Sequence, residues 1–213
     1  RESSGNEKEN PGARTLPRRL SRFIGRKREI EEIAQLLSQT SLLTLTGTAG
    51  CGKTRLAQEV ASHAAGRFRH GLWFVDLTPL TEPEYIPSSI AATLGLIEVP
   101  DVSAQSMLET YFATKKALVI LDNCEHLIAA CAQLVDQLLL QCNGLKILAT
   151  SREPLSIEGE FVWRVPSMAT PDFETQDSFS EEELQDYDAV QLFVDRGTSA
   201  SGIREFSVED MWF

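Results

Sequence analysis

The sequence predicts an α/β fold: a mostly parallel sheet with helices on both faces, followed by the start of a C-terminal helical unit. Three observations predict it. Short apolar or β-branched runs alternate with stretches of helical periodicity between residues 26 and 165, the pattern of successive βα units. One of those runs, Ala117–Leu121 (ALVIL), is apolar throughout, as a strand buried on both faces of a parallel sheet must be. A glycine cluster, Gly47, Gly50 and Gly52, joins a predicted strand to a predicted helix. That junction is the carboxyl end of a strand, where open α/β sheets bind ligands.

Each element follows in order. Residues 1–20 are polar, contain Pro11, Gly12 and Pro17 and show no period, so they read as a disordered basic linker. From Arg26 to Ser38, Ile30, Ile33, Leu36 and Leu37 recur at helical spacing. Leu42–Thr46 is the first strand, and a helix runs from Lys53 to about Ala65. Gly71–Leu77 (GLWFVDL) is the second strand, aromatic and β-branched. Pro83–Leu94 reads as a helix. Ser103 caps another, which carries Met107, Leu108, Tyr111 and Phe112 on one side. After the third strand, ALVIL, a helix is predicted from Glu125 to Gln141, with Leu127, Ile128, Cys131, Leu134, Val135, Leu138 and Leu139 at spacings of three and four. Asn143-Gly144 ends it. Lys146–Thr150 (KILAT) and Phe161–Val165 are the fourth and fifth strands. Residues 172–188 hold eight Asp/Glu and no Lys/Arg and read as a solvated linker. A helix then starts at Asp188. The domains expected are therefore 1–20 linker, 21–168 α/β domain, 169–187 acidic linker and 188–213 the start of a helical domain.

Charge limits the partners. The formal net charge is −11, and residues 1–28 carry nine Lys/Arg against three Glu, leaving eleven against 28 for the remainder. So acidic a body repels a nucleic-acid backbone, and direct nucleic-acid binding is not expected of it. The basic arm reads as a solvated linker or as a segment that touches an anionic surface. No apolar run approaches the roughly 20 residues of a membrane span, and no signal peptide is visible, so a cytoplasmic location is expected. The chain begins at Arg1 rather than Met and reads as a piece of a longer protein. Cys51, Cys124, Cys131 and Cys142 form no C-x-x-C pair and have no zinc-finger spacing, so all four are expected to be reduced thiols.

The strongest chemical signal is G-T-A-G-C-G-K-T, Gly47 to Thr54, which fits G-x-x-x-x-G-K-[ST] at every fixed position. Its residues are Gly47, Thr48, Ala49, Gly50, Cys51, Gly52, Lys53 and Thr54, with Arg55 next. Glycines let the backbone wind tightly and point N–H groups inward, and these join the helix N-terminus in an anion nest. Lys53 adds a point charge for the β- and γ-phosphates, and the Thr54 hydroxyl is placed to ligate Mg²⁺. This is a P-loop. Asp122 closes the strand ALVIL. A carboxylate there is expensive unless a cation faces it, and Mg²⁺ beside Thr54 would supply one. The alternative is that Asp122 or Asn123 caps the next helix. At the end of the fourth strand stands Thr150-Ser151-Arg152. Arg152 either reaches a γ-phosphate or pairs on the surface with an acid such as Glu153. Phe23-Ile24-Gly25-Arg26 carries no signal by itself.

Taken together, F-I-G-R-K-R-E-I, L-T-L-T-G-T-A-G-C-G-K-T-R-L-A, W-F-V-D-L, L-V-I-L-D-N-C-E-H-L and I-L-A-T-S-R-E-P-L resemble the STAND class of signalling ATPases. Within it the chain looks like the NB-ARC-like domain of large bacterial transcriptional regulators. The resemblance spans roughly Phe23–Val165 plus the helix near Asp188. It implies a P-loop NTPase three-layer sandwich with strand order 5-1-4-3-2, counted over the five expected strands. It implies that Ile24, Gly25 and Arg26 lie beside adenine and ribose, that Asp122 is the Walker B aspartate and that Arg152 is the sensor arginine. It also implies ATP or ADP with Mg²⁺ as ligands, control by exchange of ADP for ATP, contact with other domains of the full-length protein and nucleotide-dependent self-association. Two departures matter. The position after the Walker B aspartate, acidic in many relatives, is Asn123, which cannot take a proton; Glu125 stands nearby. The chain also ends before the G-L-P-L and winged-helix segments of the family, from which a more exposed nucleotide and weaker affinity are expected.

Three functions follow from these residues. The first is a switch ATPase of low turnover, with Lys53, Asp122, Glu125 and Arg152 carrying the reaction. The second is a binding-only module that holds ADP or ATP. The third is a small-molecule kinase, opposed by the absence of an arginine-rich lid.

Overall fold

The computed structural model describes residues 14–17, 21–172 and 179–201. Six strands, β1 (Arg14–Thr15), β2 (Leu42–Thr46), β3 (Leu72–Asp76), β4 (Ala117–Asp122), β5 (Leu145–Ser151) and β6 (Glu160–Arg164), form one sheet in the order β1-β3-β4-β5-β2-β6. Every pairing is parallel. The five expected strands therefore stand in the order 5-1-4-3-2, read from the β6 edge. β1 adds a short sixth strand within the stretch read as a disordered linker: Arg14 and Thr15 align with Leu72 and Trp73. Residues 1–13 and 18–20 of that linker lie outside the described residues.

The helices are α1 (Lys27–Gln39), α2 (Lys53–Ala64), α3 (Ile86–Thr93), α4 (Ala104–Phe112), α5 (Ile128–Gln141), α6 (Glu181–Gln185) and α7 (Asp188–Ser201). The alternation of strand side chains splits the core into two faces. On one, Trp73, Val75, Val119, Leu121, Ile147 and Ala149 pack with Ile86, Ile90, Leu108, Phe112, Leu134 and Val135 of α3, α4 and α5. On the other, α2 contacts β2, β4 and β5 and buries Leu56, Ala57, Val60 and Ala61. All six residues of β4 are buried, as the unbroken apolar run requires. Trp73, Tyr111 and Phe112 meet edge to face at centroid distances of 5.1–6.0 Å, each pair adding about 0.5–1.5 kcal/mol beyond its area. The Ser103 hydroxyl accepts the N–H of Ser106 at 3.1 Å, the expected cap of α4.

The chain divides into two compact units. The first holds 14–17 and 29–165. The second holds 21–28, 166–172 and 179–201. In the second, the stretch read as a plain acidic linker contains α6, closed at its start by a capping box of Ser180 and Glu183; residues 173–178 and 202–213 lie outside the described residues. Among the described residues no helix is long and apolar enough to cross a membrane. The four cysteines are free thiols.

A phosphate loop above a buried carboxylate

Strand β2 delivers the chain into the loop Gly47–Gly52, and α2 starts at Lys53. Thr48, Ala49 and Gly50 are exposed. Gly50 and Gly52 sit at φ 79° and 91°, a region that costs an L-residue about 1–2 kcal/mol. Gly52 occupies the N-cap of α2, and no side chain caps it. The first-turn N–H groups of α2 therefore point out of the helix with its positive dipole end behind them. The Lys53 ammonium donates to the carbonyls of Gly47 and Thr48 at 2.9 and 3.0 Å, so it folds back over the loop. Arg55 follows on the first turn, half-buried.

The floor comes from one helix and two strands, α2, β4 and β5. Thr54 Oγ1 donates to Asp122 Oδ2 at 3.1 Å, across 68 residues of sequence. Thr150 Oγ1, from β5, donates to Asp122 Oδ1 at 2.6 Å and accepts the Asn123 N–H at 2.9 Å. Asp122 is 5% exposed. Burial pushes its pKa up, the two threonine hydroxyls pull it down, and the carboxylates of Asp76 and Glu125 push it up again. A carboxylate so placed lacks positive charge. With the Thr54 hydroxyl it offers hard oxygen donors of the kind Mg²⁺ prefers. Among the described residues no group of three or more His, Cys, Asp or Glu could hold a metal alone, so an ion here would need further ligands from outside these side chains. The residues present fit such an ion.

Beyond Asp122 the structure departs from the expected helix start at Glu125. Asn123 takes a left-handed conformation (φ 67°, ψ 52°), and Cys124–His126 form a single 3₁₀ turn before α5 opens at Ile128. Asn is among the few residue types that adopt this conformation readily. Neither Asp122 nor Asn123 caps a helix with its side chain; the Asp122 carboxylate faces threonines instead. Glu125 lies in the 3₁₀ turn, and its Oε1 pairs with Arg152 Nε at 3.2 Å. Arg152 therefore meets Glu125 rather than the Glu153 considered from the sequence. Glu125 Oε2 is buried without a partner.

Of the predicted site residues, the structure brings together Lys53, Thr54 and Asp122 around the P-loop, and joins Glu125 to Arg152. Ile24, Gly25 and Arg26 belong to the second unit. There Asp188 Oδ2 accepts the Arg26 N–H at 3.0 Å, and Arg26 Nη2 donates to Pro166 O at 2.9 Å. Gly25 has φ 72°, and a Cβ on it would stand 2.2 Å from the Asp188 carboxylate, so a larger residue there is strained and must displace that side chain. By sequence Thr150 has no role of its own beside Arg152, Asp188 marks only a helix start, and Asp76 is not singled out. A hydroxyl inside the apolar run KILAT was the available signal for Thr150, because a buried hydroxyl needs a partner. Asp76 aligns with Asp122 across the β3–β4 pair and accepts the Thr78 N–H at 2.9 Å.

Comparison with known proteins agrees with this geometry. The NB-ARC domain model matches residues 26–162. A Mycobacterium tuberculosis protein named as an HTH-type transcriptional regulator is 45% identical over 163 residues, 76% of this chain and 17% of the relative. Regulatory protein AfsR of Streptomyces coelicolor is 31% identical over 155 residues, 64% of this chain and 15% of the relative. Among solved structures, a Pyrococcus horikoshii Signal Transduction ATPase with Numerous Domains (STAND) protein carrying a tetratricopeptide repeat sensor superposes with TM-score 0.51 at 18% identity, over 90% of this chain and 31% of that one. The chain thus spans less than a fifth of the length of either curated relative.

Proposed function

The chain belongs to the NB-ARC domain family, and from that premise we propose that it is the ATP/ADP-binding switch of a larger regulator, with slow Mg²⁺-dependent ATP hydrolysis. The single observation that carries the reading is the meeting of the Thr54 hydroxyl and the buried Asp122 carboxylate at 3.1 Å beneath a glycine-wound loop. In this reading the backbone N–H groups of Gly50–Thr54 receive the phosphates, and the Lys53 ammonium turns from the Gly47 and Thr48 carbonyls to the β- and γ-phosphate oxygens. Thr54 and Asp122 would hold Mg²⁺, whose charge would offset that of the phosphates. Arg152 leaves Glu125 for the γ-phosphate, so ATP and ADP make different contacts, as a switch requires. The resemblance assigns Ile24, Gly25 and Arg26 to the adenine and ribose, and within their unit Asp188 accepts the Arg26 N–H. The name of the mycobacterial relative supports a transcriptional role for the whole protein and that of AfsR a regulatory one, with other domains of that protein as partners and self-association tied to the nucleotide. A cytoplasmic location fits that role.

A second reading, a module that binds nucleotide without cleaving it, is favoured by the end of β4. Asn123 cannot accept a proton, and Glu125 is engaged by Arg152 at 3.2 Å. The test is nucleotide binding by calorimetry on the wild type and Lys53→Ala, then phosphate release from ATP. Binding that survives Lys53→Ala rejects both readings. Phosphate release that disappears in Asp122→Asn and Glu125→Gln supports the switch ATPase, and release at background supports the binding-only module.

A further inference from the structure

Thr150 is the penultimate residue of the strand that separates the P-loop strand from the Asp122 strand, and it is 1% exposed. Its single hydroxyl does two things at once. It donates to Asp122 Oδ1 at 2.6 Å, and it accepts the backbone N–H of the left-handed residue Asn123 at 2.9 Å. We propose that Thr150 is a positioning residue for the Mg²⁺ site: by holding Asp122 Oδ1 it fixes the carboxylate so that Oδ2 faces the Thr54 hydroxyl. The inference rests on the assignment of Asp122 and Thr54 to Mg²⁺ made above.

The physical reason is the number of ways the carboxylate can turn. An Asp side chain has two rotatable bonds, and its terminal torsion is broad. A hydrogen bond from Thr54 alone leaves the carboxylate free to rotate about that contact. The second hydroxyl, from the neighbouring strand, removes the freedom, because β5 pairs with β4, which carries Asp122, and contacts α2, which carries Thr54. Loss of the hydroxyl strands two groups in a buried place, Asp122 Oδ1 and the Asn123 N–H, and a buried polar group without a partner relaxes by moving. Partners that orient a metal ligand in this way typically change metal affinity by about 10- to 100-fold when removed.

The experiment compares ADP affinity by calorimetry in Mg²⁺ and in EDTA for the wild type, Thr150→Val, Thr150→Ser and Asp122→Ala. Thr150→Val keeps the shape and removes the hydroxyl. It should lose about 10- to 100-fold of the affinity gained from Mg²⁺ and keep the affinity measured in EDTA, while Thr150→Ser restores the Mg²⁺ gain. A Thr150→Val protein with the full Mg²⁺ gain overturns the proposal. So does equal weakening in Mg²⁺ and EDTA, the result expected of a residue that only braces the strand. Should Thr150→Val fail to fold, Thr150→Ala against Thr150→Ser provides the same contrast. If the wild type gains nothing from Mg²⁺, or Asp122→Ala gains as much as the wild type, the assignment of Asp122 to the metal fails and the proposal falls with it.

Discussion

The phosphate loop and the Asp122 floor beneath it are built by opposite means. The loop is contiguous, exposed and made of backbone: glycine conformations and free N–H groups at the start of α2 give it its shape. The floor is assembled from side chains of α2, β4 and β5, is centred on the buried Asp122 and Thr150, and depends on three hydrogen bonds between residues far apart in sequence. The loop should therefore be insensitive to side-chain changes, except where a glycine or the lysine is touched. The floor should be sensitive to each hydroxyl and to the charge of one carboxylate.

The largest expected effect tests the one side chain on which the loop does depend. Lys53→Ala removes the ammonium that would face the phosphates, and nucleotide affinity should fall by about 2–5 kcal/mol, read by titration calorimetry with little change in melting temperature. Gly52→Ala comes next. Its Cβ would meet nothing within 4 Å, so the cost is purely that of φ 91°, about 1–2 kcal/mol, seen in the melting temperature and in nucleotide affinity alike. Thr48→Ser, on the exposed crest, is the control and should leave both unchanged. An equal loss there would break the distinction between backbone and side-chain construction.

Asp122→Asn sharpens the contrast from the other side. Because the folded-state pKa of Asp122 is raised, chiefly by burial, the folded protein holds the Asp122 proton more tightly than the unfolded chain does. That contribution to stability is complete below the unfolded pKa and is lost as pH rises through the folded pKa. The nucleotide-free Asp122→Asn protein should thus melt above the wild type at neutral pH, with the advantage shrinking in acid. Saturating Mg²⁺-ADP should reverse the order. A neutral-pH melting temperature below that of the wild type would show that the carboxylate is not a charge-strained site. The smallest effect belongs to Glu125→Gln. Its partner Arg152 is 64% exposed, and exposed pairs contribute under about 1 kcal/mol, so stability should barely move. Phosphate release from ATP, measured on the same protein, decides whether Glu125 has any part in turnover.

Much of this was legible in the sequence, for identifiable reasons. ALVIL announced a strand buried on both faces, and β4 is buried at all six positions. The loop could be read because all its parts lie within eight residues and its glycines mark backbone conformations directly. Other features resisted. The helix expected at Glu125 begins only at Ile128, because Asn123 turns left-handed and the chain spends one 3₁₀ turn first; helical periodicity continues through such a turn and hides it. Thr150 stood in a recognised segment, but its partners lie at 122 and 123, and no spacing rule connects them. Along the sequence the acid beside Arg152 is Glu153, whereas the acid it meets is 27 residues away.

The sequence by itself determined the α/β architecture, the place of the phosphate loop and the identity of the carboxylate that closes the central strand. These depend on local patterns: an apolar run, a glycine spacing, a polar residue at the end of a buried strand. Only the tertiary structure decided which oxygen of Asp122 faces Thr54, that Thr150 holds the other, and that Arg152 pairs with Glu125. Those depend on the parallel register of β4, β5 and β2, which sets neighbours across strands that are far apart along the chain.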